Sequence, residues 1–542
     1  MFTSVCVKVE ADLEESTLGA FQFYTSGGKR ASLACSGILL QPQEHEPGIV
    51  ITSASILVPL LDQSTRLANG VTVQVAGEAS VTSTEVRWVP ATLKAVVDFP
   101  DIRNVITHLI SSDPSGWHVG YSDVPLPRTN LSDLSSGSMD SIGLTGIAIL
   151  RLHHPLHSSA NNTASRRICT DPPLCTPLHI HGIPFSLVNP ATFIGYTTQC
   201  IISAKLTAPR SEGVLYVVDA RTFAGMQGGM VVCAEGGDAI GLVLPRVVRR
   251  CVDPIELTLV VPLHTVMSAV SRNLTRPMVI AWLASQQLST TNRVSEVMDM
   301  TASWTILKVE AVTSGKSQWG SAICVGNGMC ISNAHVVNEY STNIRVRFGV
   351  SKEWHLDCQV LHSSTTADFC ILLIPNPPEQ AVNARITHEQ AMTRRSRVYA
   401  VGFGGYVGPD GPPMISAGIV SNIVEMKRHS DESATPWMII SSAVCHNGCS
   451  GGGLFTEDGR LIGLITANAE TQEGHIYPTV NFSLPVGLLT GAIEAVKHGK
   501  PSSARLKLNV DDEQFRKLWT FSGLTHNDVL MEKERRSIKP RL

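Results

Sequence analysis

Asn447-Gly448-Cys449-Ser450-Gly451-Gly452-Gly453-Leu454-Phe455 runs on, after a short turn, into Gly459-Arg-Leu-Ile-Gly-Leu-Ile465. Much earlier, Ala224-Gly225-Met226-Gln227-Gly228-Gly229-Met230-Val231-Val232 runs on in the same way into Asp238-Ala-Ile-Gly-Leu-Val-Leu244. In both places a glycine-rich turn delivers the chain into one short apolar run and then another. The echo extends upstream. Trp319-Gly-Ser-Ala-Ile-Cys-Val325 leads to Ile331-Ser-Asn-Ala-His-Val-Val337, and Ala34-Cys-Ser-Gly-Ile-Leu-Leu40 leads to Ile51-Thr-Ser-Ala-Ser-Ile-Leu-Val58. Segments repeated in the same order mean one fold used twice.

The chain is divided accordingly into a first domain over 1–284, a linker over 285–299, a second domain over 300–498 and a tail over 499–542. The polar stretch Ser285–Glu296 carries the linker. Short β-branched runs such as Val71-Thr-Val-Gln-Val75 and Ile344-Arg-Val-Arg-Phe348 alternate with Gly, Asn and Pro, the pattern of an all-β fold. Helical periodicity stands out at Pro262–Val270 and Leu484–Val496, each closing a β-rich stretch.

Composition removes several function classes. Apolar residues make up 43% of the 542 and charged residues 16%, which excludes a disordered chain. Lys and Arg number 43 against 46 Asp and Glu, so no basic excess drives nucleic-acid binding. No apolar run reaches the ~18 residues of a membrane span, and the first residues lack a secretory pattern. Thirteen cysteines spread over the chain read as thiols in a reducing compartment.

Gly448-Cys449-Ser450-Gly451-Gly452 has the form G-x-S-G-G, which chance places in roughly one chain in fifty of this length. It is preceded by Asn333-Ala334-His335 and Ala367-Asp368-Phe369-Cys370-Ile371-Leu372, in the order His, Asp, Ser. A serine hydroxyl is a weak nucleophile and needs a base in reach. Histidine, with an ordinary pKa near 6.5, can take its proton and return it to a leaving amine. A carboxylate then fixes the imidazole tautomer. Cys449, beside the serine, leaves a cysteine nucleophile as the lesser alternative.

Together the three segments resemble the trypsin-like serine protease superfamily. The resemblance implies two tandem trypsin-like domains, each a pair of six-stranded antiparallel barrels, with short C-terminal helices. It implies His335, Asp368 and Ser450 as catalytic residues, with Gly448 and Ser450 N–H groups as the oxyanion hole. It places the substrate pocket at Val444 and at Thr466, Ala467 and Asn468, uncharged positions suited to a small or apolar side chain. No metal or cofactor is expected. A zinc reading of His153, His154, His157, His179 and His181 with Cys169 and Cys175 is set aside.

In the first repeat, Ser55 stands where His335 stands, Gly146 where Asp368 stands and Gln227 where Ser450 stands. All three chemical groups are gone, so this half is expected to be a pseudoprotease. A long insertion around Val97–Ile142 separates Ser55 from Gly146, and its stretch Arg128–Asp140 reads as an exposed loop open to self-cleavage.

Ala400-Val-Gly-Phe-Gly-Gly-Tyr-Val-Gly408 and Tyr477-Pro-Thr-Val-Asn-Phe-Ser-Leu-Pro485, with the tandem layout, resemble the family of peroxisomal leader peptide-processing proteases. That resemblance implies removal of targeting peptides from imported matrix proteins, including β-oxidation enzymes. It also implies self-processing, homo-oligomers and a place in the peroxisome matrix. Pro540-Arg541-Leu542 is expected to meet the import receptor. The alternatives are a quality-control protease of cytosol or nucleus, and a peptide-binding scaffold without hydrolysis. Protein substrates are the expected partners, with neither nucleic acid nor membrane.

Overall fold

The computed structural model describes residues 2–12, 24–25, 30–41, 45–62, 65–77, 86–110, 117–119, 139–156, 167–185, 193–208, 213–249, 255–273, 287–289, 305–349, 351–386, 393–404, 411–427, 434–470, 476–499, 515, 518–519 and 539–540. Contacts cluster into two units. One is Met1–Arg250 with Ile255–Arg293; the other is Val294–Leu542 with Cys251–Pro254.

Each unit is built from two six-stranded sets of mostly β-branched and small apolar residues. In the first unit the opening set is β1 (Phe2–Asp12), β2 (Arg30–Leu40), β3 (Ile49–Ser53), β4 (Thr72–Ala76), β5 (Trp88–Val97) and β6 (Ile147–Leu152). They pair in the order β1-β4-β5-β6-β3-β2, and β2 returns to β1 to close the barrel. The following set is β7 (Pro177–His181), β8 (Thr197–Thr207), β9 (Val214–Val218), β10 (Met230–Cys233), β11 (Ala239–Val243) and β12 (Ile255–Pro262). Its order is β7-β8-β9-β12-β11-β10, closed between β10 and β7.

The second unit repeats both orders. Its first set is β13 (Ile306–Thr313), β14 (Lys316–Gly326), β15 (Met329–Ser332), β16 (Ser341–Phe348), β17 (Gln359–Ser364) and β18 (Phe369–Leu373). The sheet runs β16-β13-β14-β15-β18-β17. Here the strands matching β4 and β5 are the two sheet edges, whereas β4 and β5 themselves pair. The last set is β19 (Arg397–Gly402), β20 (Met414–Lys427), β21 (Ala434–Ser441), β22 (Gly453–Thr456), β23 (Arg460–Glu470) and β24 (Ile476–Pro485). It closes in the order of the second barrel, through β22–β19 and β23–β24. The architecture is all-β, of tandem six-stranded antiparallel barrels.

Side chains alternate into the barrel interiors, as a period-two strand requires. Val5, Val7, Cys35, Val50, Val75 and Leu150 meet in the first core, and Val309, Cys324, Cys330, Val346, Phe348 and Leu372 in the third. All twelve described cysteines are buried, and none is in a disulfide.

Helices pack at the ends. Leu263–Asn273 and Val486–Lys497 follow β12 and β24, close to the expected positions, each burying one apolar face. Two further helices, Pro100–Ile110 and Met139–Thr145, occupy the insertion in the first unit. The first buries Ile102, Val105, Ile106 and Leu109, so this insertion contributes to the core. Residues 128–138 of the expected loop lie outside the described residues, and Met139 and Asp140 open the second helix. Within the expected linker, Gln287–Ser289 forms a strand parallel to Arg167–Cys169. The expected tail includes Phe515 and Trp519, both buried: Phe515 lies 5.9 Å from Trp437 and 5.8 Å from Trp519, centroid to centroid.

Candidate active site

Strand β15 ends at Ser332, and the chain turns at once through Asn333-Ala334-His335. Strand β18 begins at Phe369, one residue after Asp368. The ladder between them pairs Ile331 with Ile371 and Ser332 with Cys370, so their adjacent ends bring His335 beside Asp368. His335 Nδ1 lies 2.7 Å from Asp368 Oδ2, and the His335 backbone N–H donates to Asp368 Oδ1 at 2.9 Å. Two contacts from one residue fix the carboxylate against the ring. Asp368 sits at φ +48°, an uncommon conformation for a non-glycine residue. Asn333, which is fully buried, holds that bend by donating its Nδ2 to the Asp368 carbonyl at 2.8 Å. Asp368 is 7% exposed, so water competes little for its oxygens.

Ser450 lies on the turn between β21 and β22. The positive φ values of Gly448 (+95°) and Gly451 (+83°) shape that turn. A Cβ on Gly451 would come 2.0 Å from the Ser321 carbonyl oxygen, and one on Gly448 would come 2.2 Å from Trp319. Only glycine fits either place. Ser321 clamps the turn from β14. Its N–H donates to the Ser450 carbonyl at 2.8 Å, and its hydroxyl donates to the Gly448 carbonyl at 2.7 Å while accepting from Phe403 N–H at 2.8 Å.

His335 and Ser450 line one cavity of about 190 Å³. The Ser450 hydroxyl is directed at the Thr466 carbonyl, 3.5 Å away. A rotation about its Cα–Cβ bond redirects it into the shared cavity; such hydrogen bonds are often loose without substrate. With the ring held at Nδ1, Nε2 is the nitrogen left to act on a hydroxyl.

The remaining lining includes Cys445, His446, Asn447, Cys449, Ala467 and Asn468. Of the pocket residues read from the sequence, Ala467 and Asn468 line the cavity, and Val444 and Thr466 do not. Val444 is engaged through its N–H with the Ser416 hydroxyl, and Thr466 is buried against Asn333. Asn468 donates its side-chain amide to the Cys445 carbonyl at 2.9 Å, tying the strand to the opposite cavity wall. Cys445, His446 and Ile476 were missed; a count back from the serine signals the first two, but nothing local signals Ile476. Cys449 packs in the core with Val398, Ala443 and Leu454. Its hydrogen bond to Cys445 and burial hold the Cys445 thiol well above the usual range.

The first unit carries the corresponding frame. Ile51 pairs with Ile149 and Ser53 with Ile147, as Ile331 pairs with Ile371, so Gly146 occupies the Asp368 register and Ser55 the His335 position. Gly228 N–H donates to the Val243 carbonyl as Gly451 N–H does to Ile465, which places Gln227 at Ser450. Gln227 Oε1 accepts from the Gly225 N–H at 3.0 Å. Of the histidines weighed for zinc, His153 bonds Thr92 and His181 bonds Thr197, while His157 lies outside the described residues. Among the described residues no three His, Cys, Asp or Glu side chains converge as a metal site. No helix among them is long and apolar enough to cross a membrane.

Residues 320–464 match the family described as trypsin-like peptidase domain. The second unit carries a trypsin-like peptidase domain. Over 358 residues the chain is 26% identical to the peroxisomal leader peptide-processing protease of Homo sapiens, covering 64% of this chain. That match spans 60% of the human relative's length. The Mus musculus protein of the same name is 24% identical over 446 residues, 79% of this chain and 74% of that one. Among solved structures, the active form of the Rv3671c protease from M. tuberculosis is 16% identical, with TM-score 0.29, over 42% of this chain and 95% of that one. The peptidase domain therefore has relatives whose match extends well beyond the domain itself.

Proposed function

We propose that the chain is a serine endopeptidase in which Ser450 is the nucleophile, His335 the general base and acid, and Asp368 the residue that orients the imidazole. The observation that carries this is the 2.7 Å contact of His335 Nδ1 with Asp368 on the wall of the cavity that Ser450 shares. The Ser450 oxygen attacks the peptide carbonyl as His335 Nε2 takes its proton. The resulting oxyanion is met by the N–H groups of Gly448 and Ser450. His335 then gives the proton to the leaving amine, and water repeats the sequence on the acyl-enzyme. The Gln227 carbonyl on the Gly225 N–H supports this hole: in the equivalent turn, an oxygen already sits where the second unit would hold the oxyanion.

The substrates are proposed to be proteins carrying leader peptides bound for the peroxisome matrix, the reading supported by the names of the two relatives. β-Oxidation enzymes and the chain itself are proposed among them, on the family resemblance. The small cavity, lined by Ala467 and thiol-bearing residues, suits a short uncharged side chain before the cut. The first unit is proposed to be a catalytically silent scaffold.

The test incubates purified protein with a leader-bearing precursor and maps the cut ends by mass spectrometry, with a fluorophosphonate probe reporting on Ser450. Cleavage and labelling are expected, and Ser450→Ala removes both. Processing that survives Ser450→Ala overturns the assignment.

A further inference from the structure

β23 has two different neighbours along its length. On one side β24 follows it as far as Glu470, paired with Ile476. On the other side β22 accompanies it only from Leu461 to Leu464. From Ile465 onward that second edge passes the cavity, to which Ile465, Ala467 and Asn468 contribute lining. Just beyond, Ala469 and Glu470 pair antiparallel with Pro540 and Lys539 of the same chain.

The polarity of this pairing matters. Lys539 stands opposite Glu470 and Pro540 opposite Ala469, so the added segment advances toward Asn468, Ala467 and Thr466 as its numbering rises. The Thr466 carbonyl is the group that the Ser450 hydroxyl faces. A peptide on this edge therefore runs with its carboxyl end toward the nucleophile. That is the direction in which the acyl portion of a substrate must arrive. An unpaired strand edge offers backbone donors and acceptors to any extended segment of the right polarity.

We propose that the chain's own Lys539–Pro540 segment occupies, in the resting state, the edge of β23 along which the acyl side of an extended peptide substrate would lie. The segment is a competitor in cis, and substrate binds as it leaves. This rests on the serine-peptidase reading for its consequence, but not for the docking itself.

Two measurements separate the two claims. A chain lacking residues 537–542 is compared with the full chain on a peptide substrate that extends several residues before the cut. If the docked form is about two-thirds of the population or more, KM falls about threefold or more, with kcat unchanged. Independently, a fluorescent peptide of the sequence Ser-Ile-Lys-Pro-Arg-Leu is titrated by anisotropy onto Ser450→Ala chains. It is expected to bind the shortened chain and to bind the full chain more weakly. Unchanged KM, or peptide binding equally to both chains or to neither, overturns the proposal. Absence of fluorophosphonate labelling of otherwise active-folded protein overturns the peptidase reading instead, and the anisotropy still decides the docking. Should the shortened chain fold poorly, Glu470→Cys with Lys539→Cys in the full chain gives the second test, since the two positions are directly opposed in register. Mild oxidation is expected to form the disulfide and raise KM, and dithiothreitol to reverse it. Failure to cross-link overturns the pairing.

Discussion

Two turns in this molecule hold nearly the same backbone and carry different chemistry. In the second unit Ser321 donates its hydroxyl to the Gly448 carbonyl at 2.7 Å and Ser332 donates to the Ser321 carbonyl at 2.7 Å. In the first, Ser36 donates to the Gly225 carbonyl at 2.7 Å and Thr52 to the Ser36 carbonyl at 2.6 Å. Ile183 N–H reaches the Ser36 hydroxyl at 2.8 Å, as Phe403 N–H reaches Ser321. The paired glycines even share torsions, +96° against +95° and +83° against +83°. Yet Ser55, Gly146 and Gln227 replace His335, Asp368 and Ser450. The frame is stable through buried hydroxyls, glycines and strand ladders, and none of these includes the proposed nucleophile, base or orienting carboxylate. Such a turn keeps its shape whether a serine or a glutamine stands in it.

The largest contrast is in rate. Ser450→Ala is expected to lower precursor cleavage by about 10⁴-fold or more, and Asp368→Asn by about 10⁴-fold. The same cleavage assay on Gln227→Ala is expected to show no loss of kcat. A large loss there would break the contrast.

Second in size is the cost of a methyl group in either frame. Gly451→Ala forces a Cβ to 2.0 Å from the Ser321 carbonyl, and Gly228→Ala one to 2.2 Å from the Ser36 carbonyl, both at φ +83°. Each is expected to destabilise its own unit by about 2–4 kcal/mol, read by denaturant unfolding. Equal costs would show that the frame is held equally in both halves; a much smaller cost at Gly228 would show that the first half is held less tightly.

A titratable group sharpens the comparison next. His181 fills the place that Val401 fills in the second unit, each immediately before the glycine of its strand end. Burial, with a smaller contribution from His179, lowers the His181 pKa to about 4. The unfolded chain takes up a proton near pH 6.5 while the folded one resists it, so stability is fully present above pH 6.5 and is lost as pH falls toward 4. The loss is about 2 kcal/mol at pH 5. His181→Val should flatten the dependence of the first unit's melting on pH over this window, leaving the part due to His264, which burial also lowers. A dependence unchanged in His181→Val would refute the assignment.

The smallest effect is expected for Gln227→Ser. It restores a hydroxyl without a base beside it, so the fluorophosphonate probe should leave residue 227 unlabelled, with stability shifted by about 0.5 kcal/mol or less. Labelling there would mean that the frame alone suffices to activate a serine.

Much of this was legible because repetition and residue order survive in one dimension. The glycine turn, the strand after it and the His-Asp-Ser order are local or ordinal facts, and the ladders place Ser55, Gly146 and Gln227 where the alignment of the halves put them. Distances across strands are not ordinal. Ile476 reaches the cavity because β24 lies against β23, and Val444 misses it because its N–H is held by Ser416; neither fact is written near the serine. Asn333 was quoted only as a neighbour of the histidine, although its buried amide supports the bend at Asp368. The helix Pro100–Ile110 went unplaced inside an insertion defined only by its excess length. The strand at Gln287–Ser289 was hidden because three residues, two of them polar, acquire that conformation only from the partner beside them.

The clustered rings of Trp437, Phe515 and Trp519 have a practical consequence. A proteolytic nick or premature stop upstream of Phe515 would uncover an indole that lies 1% exposed on the last barrel. The damaged molecule would then display a sticky aromatic surface while keeping its catalytic groove intact. Loss of the final stretch would therefore be felt as clumping and faster clearance, together with the lower KM expected once Lys539 and Pro540 leave the edge of β23.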